Sequence, residues 1–589
     1  MTQSDPRKKA EDPTSHSQGK TQDSGAAPSW QAGGQSPEGK GGIQRNQLLT
    51  LFVLSLSLAI IVLDATIVIV ALPQISKDFV IGFKDLEWIT SLYALVFGSF
   101  LLTWGKLGDQ FGRKRIFMAG ISLFVLGSII DGISTDLTQM LAGRIIQGFG
   151  AAMASPATLA ILTTTFTGRA RNIAFGIWGA TAGAAAVLGP LLGGYFTSSS
   201  FTWRWAFFIN IPIGAVALIG AIIAIRESRF KDPKYTTDYG GLILITLGLS
   251  ALLFGLIEGQ SYGWTIPSQD LPLGLFTWAT SFPISLPAFS IICGSILLAA
   301  FTFFDIRRAR HGRVPLFDFS LLRFPGFRYG LFTVFIVAMG EFGAVFIFSI
   351  YFQTVRGMTA LDTGITFLPM ALSVFFFAPI AGALSNRIGP KWIVTTGMTL
   401  EAIALFTIFV ITSSTIPIYD FYPVLVVYGA GVGFAISQVT SVVLMSIPWQ
   451  KAGIGSGANN TVRQVGSSFG IAIIGAVLVA IISSVGQADV AVKLASNAIN
   501  QCWATQLDGL LSSGLSGGVG QIPQGVCLSS PAPVLVIQNV FSDAITNGTR
   551  WAAFTASVFV SFGALSSLLI PNPRGKTRIV AKPVIQKVA

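Results

Sequence analysis

Histidine and cysteine are nearly missing from these 589 residues, with two of the former, His16 and His311, and three of the latter, Cys293, Cys502 and Cys527. A histidine-dependent membrane enzyme therefore has almost no raw material, and the thiols lack any metal-ligand spacing. Charge is scarce as well. Asp, Glu, Lys and Arg make up 11% of the chain against 52% hydrophobic residues, where soluble domains carry about 25% charged residues. Together with a mean hydropathy of +0.67, this excludes a soluble globule and makes the lipid bilayer an expected partner. The net charge of +12 does not point to nucleic acid, because the basic residues are strung between apolar runs instead of gathering in one domain. A GxxxxGK[ST] phosphate loop is absent too. No cofactor is expected, and an ion gradient, most plainly of protons, is left as the energy source.

What the chain has in abundance is apolar stretches about 20 residues long, enough to cross a hydrocarbon core. Fourteen are expected, at 48–70, 88–104, 116–134, 139–162, 173–196, 204–225, 239–257, 285–304, 329–352, 363–384, 392–411, 421–446, 455–484 and 550–570. Lys and Arg test that count, because they crowd cytoplasmic loops. Of the 38, 30 fall in alternate segments beginning with the first tail, six fall in the other loops, and Arg144 and Arg463 lie within spans. Both termini are thus expected in the cytoplasm.

The expected organisation is an all-α polytopic membrane protein with a disordered cytoplasmic tail (1–46) that lacks the apolar core of a signal peptide. A six-helix bundle (47–226), a linker with two extra transmembrane helices (227–328) and a second six-helix bundle (329–571) follow, then a cytoplasmic tail (572–589). The apolar stretch between the two extra helices suits a re-entrant or interfacial segment. A long extracytoplasmic loop (485–549) holds Cys502 and Cys527. In an oxidising compartment these are either bridged, a closure contributing roughly 3 kcal/mol, or left as two free thiols.

Charges inside spans are candidates for function, since a buried ion needs a partner or water. Arg144, in LAGRIIQGFGAAMASPATLAIL (141–162), cannot shed its proton. At 1.5 Å per residue, Asp64 and Arg144 both lie roughly 8 to 9 Å below the outer surface, where they pair or compete for one proton. Glu341 falls near the centre of its helix, where an acid binds a proton, attracts a cationic substrate, or forms a static pair with Arg463. Tyr93, Phe97 and Trp178 supply either aromatic lining for an amphipathic compound or ordinary core packing.

The turn GKLGDQFGRKR (105–115) has a degenerate echo in GALSNRIGPK (382–391), matching Gly105, Asp109, Gly112 and Lys114 with Gly382, Asn386, Gly389 and Lys391. Gly105, Gly108 and Gly112 permit a tight turn and close helix approach. Asp109 accepts from donors at a helix end, and Arg113, Lys114 and Arg115 hold the loop in the cytoplasm. The echo points to a duplicated bundle with substrate bound between halves.

At this turn the chain resembles the major facilitator superfamily, whose signature loop has this pattern apart from Gln110, where the family usually has a basic residue. LAGRIIQGFGAA (141–152) is similar to the family's fourth-helix motif, which implies that Arg144 and Gln147 line the cavity. AAAVLGPLLGGYF (184–196) resembles the fifth-helix motif of antiporters, with Ala185 in place of its first glycine. Gly189 and Pro190 bend the helix there, while Gly193 and Gly194 leave a flat surface for a helix of the other half. LDATIVIVALP (63–73), WRWAFFINIPIG (203–214) and ANNTVRQVGSSFG (458–470) resemble the fourteen-helix drug:proton antiporters, with Asp64 as the motif's acid and Ile69 where asparagine is frequent. By the same resemblance the helix holding Glu401 is peripheral and that residue structural.

The function implied is proton-coupled antiport of small amphipathic organic compounds by alternating access, in the plasma membrane, or in a vacuolar membrane if the source is eukaryotic. A monomer suffices for it. A fourteen-helix proton-coupled transporter of siderophores or basic amino acids shares the architecture.

Overall fold

Hydrocarbon offers backbone polar groups no partner but each other, so spanning segments fold as helices. The computed structural model describes residues 44–81, 83–198, 202–229, 238–272, 277–496, 499, 501–512 and 534–571. The first half consists of α1 (Arg45–Phe79), α2 (Phe83–Phe111), α3 (Arg113–Ile133), α4 (Leu137–Thr165), α5 (Gly168–Ser198) and a sixth segment divided into α6 (Trp205–Phe208) and α7 (Asn210–Ala224). A hairpin of α8 (Tyr239–Tyr262) and α9 (Leu286–Arg310) follows. The second half holds α10 (Pro325–Ile350), which continues as a π-helical turn over Tyr351–Val355, then α11 (Ala360–Thr366), α12 (Leu368–Ile388), α13 (Pro390–Ile411) and α14 (Phe421–Met445). It ends with α15 (Ala452–Ala495), α16 (Gln501–Ser512) and α17 (Val534–Ser567).

Among the described residues, thirteen helical segments are long and apolar enough to cross a membrane. The fourteenth expected span lies within α17, where Arg550 and the serines at 557, 561, 566 and 567 dilute the apolar character. Packing keeps that segment in the bundle: α17 contacts α10, α13 and α15, and the Ser557 hydroxyl donates to the Ala402 carbonyl at 2.9 Å. The architecture is two six-helix bundles with an extra pair between them.

Two boundaries differ from expectation. α1 continues past Pro73 to Phe79. α15, α16 and the start of α17 take up much of the expected long loop, where α16 and α17 each pack on α15 and Val490, Ile499, Trp503, Leu507, Ile537, Val540 and Phe541 are buried. The described residues between α8 and α9 form bends, a turn and an antiparallel pairing of Leu271–Pro272 with Thr277–Trp278.

The halves repeat one packing plan. α3 packs on α4 and α1 on α5 and α7, as α13 packs on α14 and α10 on α15 and α17. Two of the four matched positions of the echoed turn do the same work twice. Gly112 (φ 112°) and Gly389 (φ 90°) take backbone angles that favour glycine. Lys114 Nζ donates to the Ile222 carbonyl near the end of α7 (2.9 Å), and Lys391 Nζ to the Leu568 carbonyl just after α17 (2.5 Å). Between halves, α2 and α4 lie on α15, and α5 lies on α12 and α14.

Candidate functional site

Within the first half, four helices deliver polar side chains to one closed centre. Asp64 from α1, Ser128 from α3, Arg144 and Gln147 from α4 and Asn210 from α7 are all fully buried. Arg144 Nη1 donates to Asp64 Oδ2 at 2.7 Å and to Gln147 Oε1 at 2.6 Å, while its Nε reaches the Ile89 carbonyl at 2.9 Å. Asp64 Oδ1 accepts from Gln147 Nε2 (2.7 Å) and Asn210 Nδ2 (2.9 Å), and both amides also donate to Ser128 Oγ. The guanidinium lies 4.3 Å from the centre of the Tyr93 ring, a cation–π contact. This is a charge pair with every carboxylate oxygen satisfied, the condition under which buried ions persist in an apolar bundle. Asn210 and Ser128 are members that sequence reasoning missed. The available signal was an isolated amide in FFINIPIG (207–214), between apolar neighbours that give it nothing to bond.

One α-helical turn after Ser128, Asp131 is also fully buried, and its carboxylate oxygens have no hydrogen-bond partner among the described residues. Its carboxylate occupies the space that a side chain on Gly143 of α4 would fill.

The second half carries an open counterpart. Arg463 Nη2 of α15 lies 3.3 Å from Glu341 Oε2 of α10, with side-chain exposures of 22% and 17%. Both line a small crevice together with Val334, Val337 and Ala338 of α10 and Ile436, Val439 and Thr440 of α14. Neither Tyr93 nor Trp178, proposed from the sequence as cavity lining, borders it: both are buried in the core. Glu401 of α13 is fully buried, as is Tyr428 of α14.

The expected turn forms a joint between halves. Asp109 Oδ1 and Oδ2 accept from the backbone N–H groups of Gly453 (2.9 Å) and Ile454 (3.0 Å) in the first turn of α15, where four N–H groups lack intrahelical partners. Arg113 clamps the same carboxylate at 2.6 Å and donates to the Trp449 carbonyl at 3.0 Å. Gly105 packs so closely on Gly457 that a Cβ would stand 2.9 Å from its Cα. Arg115 and the backbone N–H of Lys114 engage Glu227, and a Cβ at Gly108 would meet open space. At the echoed turn, Asn386 Oδ1 accepts from Asn172 Nδ2 of α5 at 2.8 Å, and Ser441 of α14 donates to Asn172 Oδ1 at 3.1 Å. Ser456 and Asn460 of α15 bond Pro156 and Ser155 of α4 at this same basic end of the bundle. Next to it, the linker aspartate Asp318 pairs with Lys451. Burial raises the Asp318 carboxyl, but hydrogen bonds from Lys451 and Ser320 and the Lys451 charge outweigh it and leave the group below the ordinary carboxylate value.

The fifth-helix glycines divide differently from expectation. Gly189 and Gly193, four residues apart and so on one face, pack on Thr66, Ile67 and Val70 of α1, inside their own half. Only Gly194 turns to the other half, against Leu361 of α11. Pro190 lies in the helix, with its side chain outside the described residues. The seam is carried by Gly176, Gly179 and Gly183, which meet Ala378, Ser437 and Val374. A glycine row on a face other than the motif's own supplies the flat surface.

Cys502 is disulfide-bonded, Cys293 is a free thiol, and Cys527 lies outside the described residues. No group of three or more His, Cys, Asp or Glu among the described residues could hold a metal ion.

Residues 54–471 match the family described as the Major Facilitator Superfamily. The chain is 31% identical over 445 residues to Multidrug resistance protein Stp of Mycobacterium tuberculosis, covering 75% of this chain and 78% of that protein. It is 29% identical to the Tetracenomycin C resistance and export protein of Streptomyces glaucescens, covering 73% and 75%. Among solved structures, the human organic anion transporter MFSD10 shares the fold, with a TM-score of 0.51 at 14% identity over 87% of this chain and 99% of that one.

Proposed function

From the premise that this chain belongs to the major facilitator superfamily, a family of multi-pass membrane transporters, we propose that it exports small amphipathic organic compounds in exchange for protons. The observation that carries this reading is the contrast between two ion pairs. Asp64–Arg144 is sealed in one half, and Glu341–Arg463 borders a mostly apolar pocket in the other. A carboxylate beside an apolar pocket attracts a cationic or polarised compound, and a proton on the same carboxylate releases it. The named activities of the relatives, multidrug resistance and export of an antibiotic, support an outward direction.

Alternating access needs a joint that opens without unfolding either half. The inter-half contacts at the basic end are of that kind: hydrogen bonds and glycine contacts between preformed helices. The basic end faces the cytoplasm in this reading, by the distribution of Lys and Arg, with both termini inside, the plasma membrane as the site and the monomer as the working unit. In this structure the two halves are in contact at that end.

Inverted membrane vesicles energised with a proton gradient test the proposal. Export of cationic amphipathic dyes, collapsed by a protonophore, is the expected result. Uptake of siderophores or basic amino acids by a transport-deficient host, with no dye export, would replace it with the importer reading.

A further inference from the structure

Glu401 stands midway along α13 with no exposed surface, and neither carboxylate oxygen has a hydrogen-bond partner. Facing it on α14, Tyr428 is equally buried and its hydroxyl equally unbonded. Gly431 brings these helices together: a Cβ there would lie 2.8 Å from both Glu401 Cγ and the Glu401 backbone nitrogen. The first half makes the same crossing at Gly150, against Gly120 and Phe124. The register that lays Gly105 on Gly382 and Gly112 on Gly389 also lays Gly120 on Gly397 and Phe124 on Glu401. Laying Gly150 on Gly431 then places Tyr428 where the first half has Gln147, the amide that holds Asp64. A carboxyl group thus fills the place of a core phenyl ring, and a phenol fills the place of the amide.

An ionised carboxylate is strongly disfavoured in such a contact without a cation or a donor, whereas the acid with its proton is neutral and fits. Among the described residues, the groups facing Glu401 supply no cation. Of the titratable groups nearest it, Tyr428 of α14 is a phenol and Glu341 of α10 an acid, and neither brings a positive charge. α17 presents Ser557, bonded to the Ala402 carbonyl, and its Arg550 is bonded to the Phe409 carbonyl. Arg387 of α12 lies beside the turn at Gly389, about three helical turns away. Lys391 of α13 is tied to Leu568, and Arg463 of α15 to Glu341.

We infer that Glu401 is a second proton-carrying carboxyl of this transporter, coupled through Tyr428 to Glu341 on the pocket wall. The inference rests on the proton-driven reading above. The step moves one proton onto or off a carboxylate oxygen and changes no other bond. While Glu401 holds its proton, Glu341 faces one negative charge fewer and keeps its pair with Arg463. Loss of that proton raises the demand for one at Glu341, so the two acids titrate as a pair.

Glu401→Gln keeps the shape without the proton, and Glu401→Leu supplies a purely apolar replacement should the amide fold poorly. The purified full chain is examined by infrared spectroscopy for the carbonyl stretch of protonated carboxyl groups at neutral pH. In proteoliposomes, dye transport is followed against pH. Both variants are expected to lose one protonated-acid band and to shift the pH midpoint of transport by about one unit or more, with dye binding within about twofold of wild type. An unchanged band in both variants overturns the inference, as does an unchanged midpoint where the wild type is proton-driven. If the wild type moves no protons, the proposed function fails on its own, and the band alone decides for or against Glu401.

Discussion

Asp109, in the last turn of α2, accepts the backbone N–H of Gly453, in the first turn of α15, at 2.9 Å. The bond joins residues 344 positions apart and ties one half of the transporter to the other. Asp109→Ala removes the acceptor for two helix-end N–H groups and strands the buried Arg113, a loss of about 3 to 5 kcal/mol for a broken buried pair. The basic end is expected to open more often. A cysteine placed at Leu102, buried beside Gly457, should then react faster with a thiol reagent from that side than in the parent, and equal rates would refute the joint.

Arg144→Ala leaves Asp64 with its two amide donors but no cation, and about 3 to 5 kcal/mol of stability should go with the pair. Arg144→Lys keeps the charge but not the fork that reaches Asp64, Gln147 and the Ile89 carbonyl together. The lysine variant is expected to fold and to transport poorly. Thermal unfolding in detergent and dye export in vesicles measure the two effects separately.

Glu341→Gln frees Arg463 on the pocket wall. Gradient-driven export of cationic dyes should fall at least about tenfold, equivalent to 1.4 kcal/mol, while folding is retained because the pair is partly exposed. Asp64→Asn should also abolish coupling. Wild-type rates from both amides would sink the proton-coupled reading.

Gly183→Leu and Gly176→Leu press a branched side chain into Val374 and into the Ala378 backbone. Overpacking of this kind costs about 1 to 3 kcal/mol, and here it falls on the closed seam between halves rather than on either bundle. Transport should drop while each half stays folded. Gly108→Ala, which meets nothing, serves as the silent control.

The Asp318–Lys451 pair links the connector after α9 to the start of α15. Because the Asp318 carboxyl is depressed, its contribution is complete above the ordinary carboxylate value and is lost only as pH falls through the lower value of the folded state. Asp318→Asn should therefore loosen the basic end by the same amount at every pH from about 5 to 8, and more weakly at high salt. Labelling of the Leu102→Cys thiol across that range checks it.

The helices of both halves were legible because the runs are apolar throughout and the basic loops alternate. The duplicated turn was legible because four matched residues keep their spacing. The polar centre was only half visible. Asp64 and Arg144 announce themselves as charges in apolar runs, but Asn210 lies 146 residues from Asp64 and 82 from Ser128, and nothing local says that they meet. The α5 seam was misassigned between faces, since a glycine motif names the small positions and only packing tells which neighbour each one admits. The long loop turned out largely helical because its apolar residues, spaced among polar ones, are buried.

Lys114 and Lys391 have a mechanical consequence. Each fastens the start of its half's third helix to the end of the sixth. A fastening at the same place in each half resists sliding of the third helix along the sixth. Motion of one half against the other then falls on the contacts between them, at Asp109 and along α5, outside both fastenings.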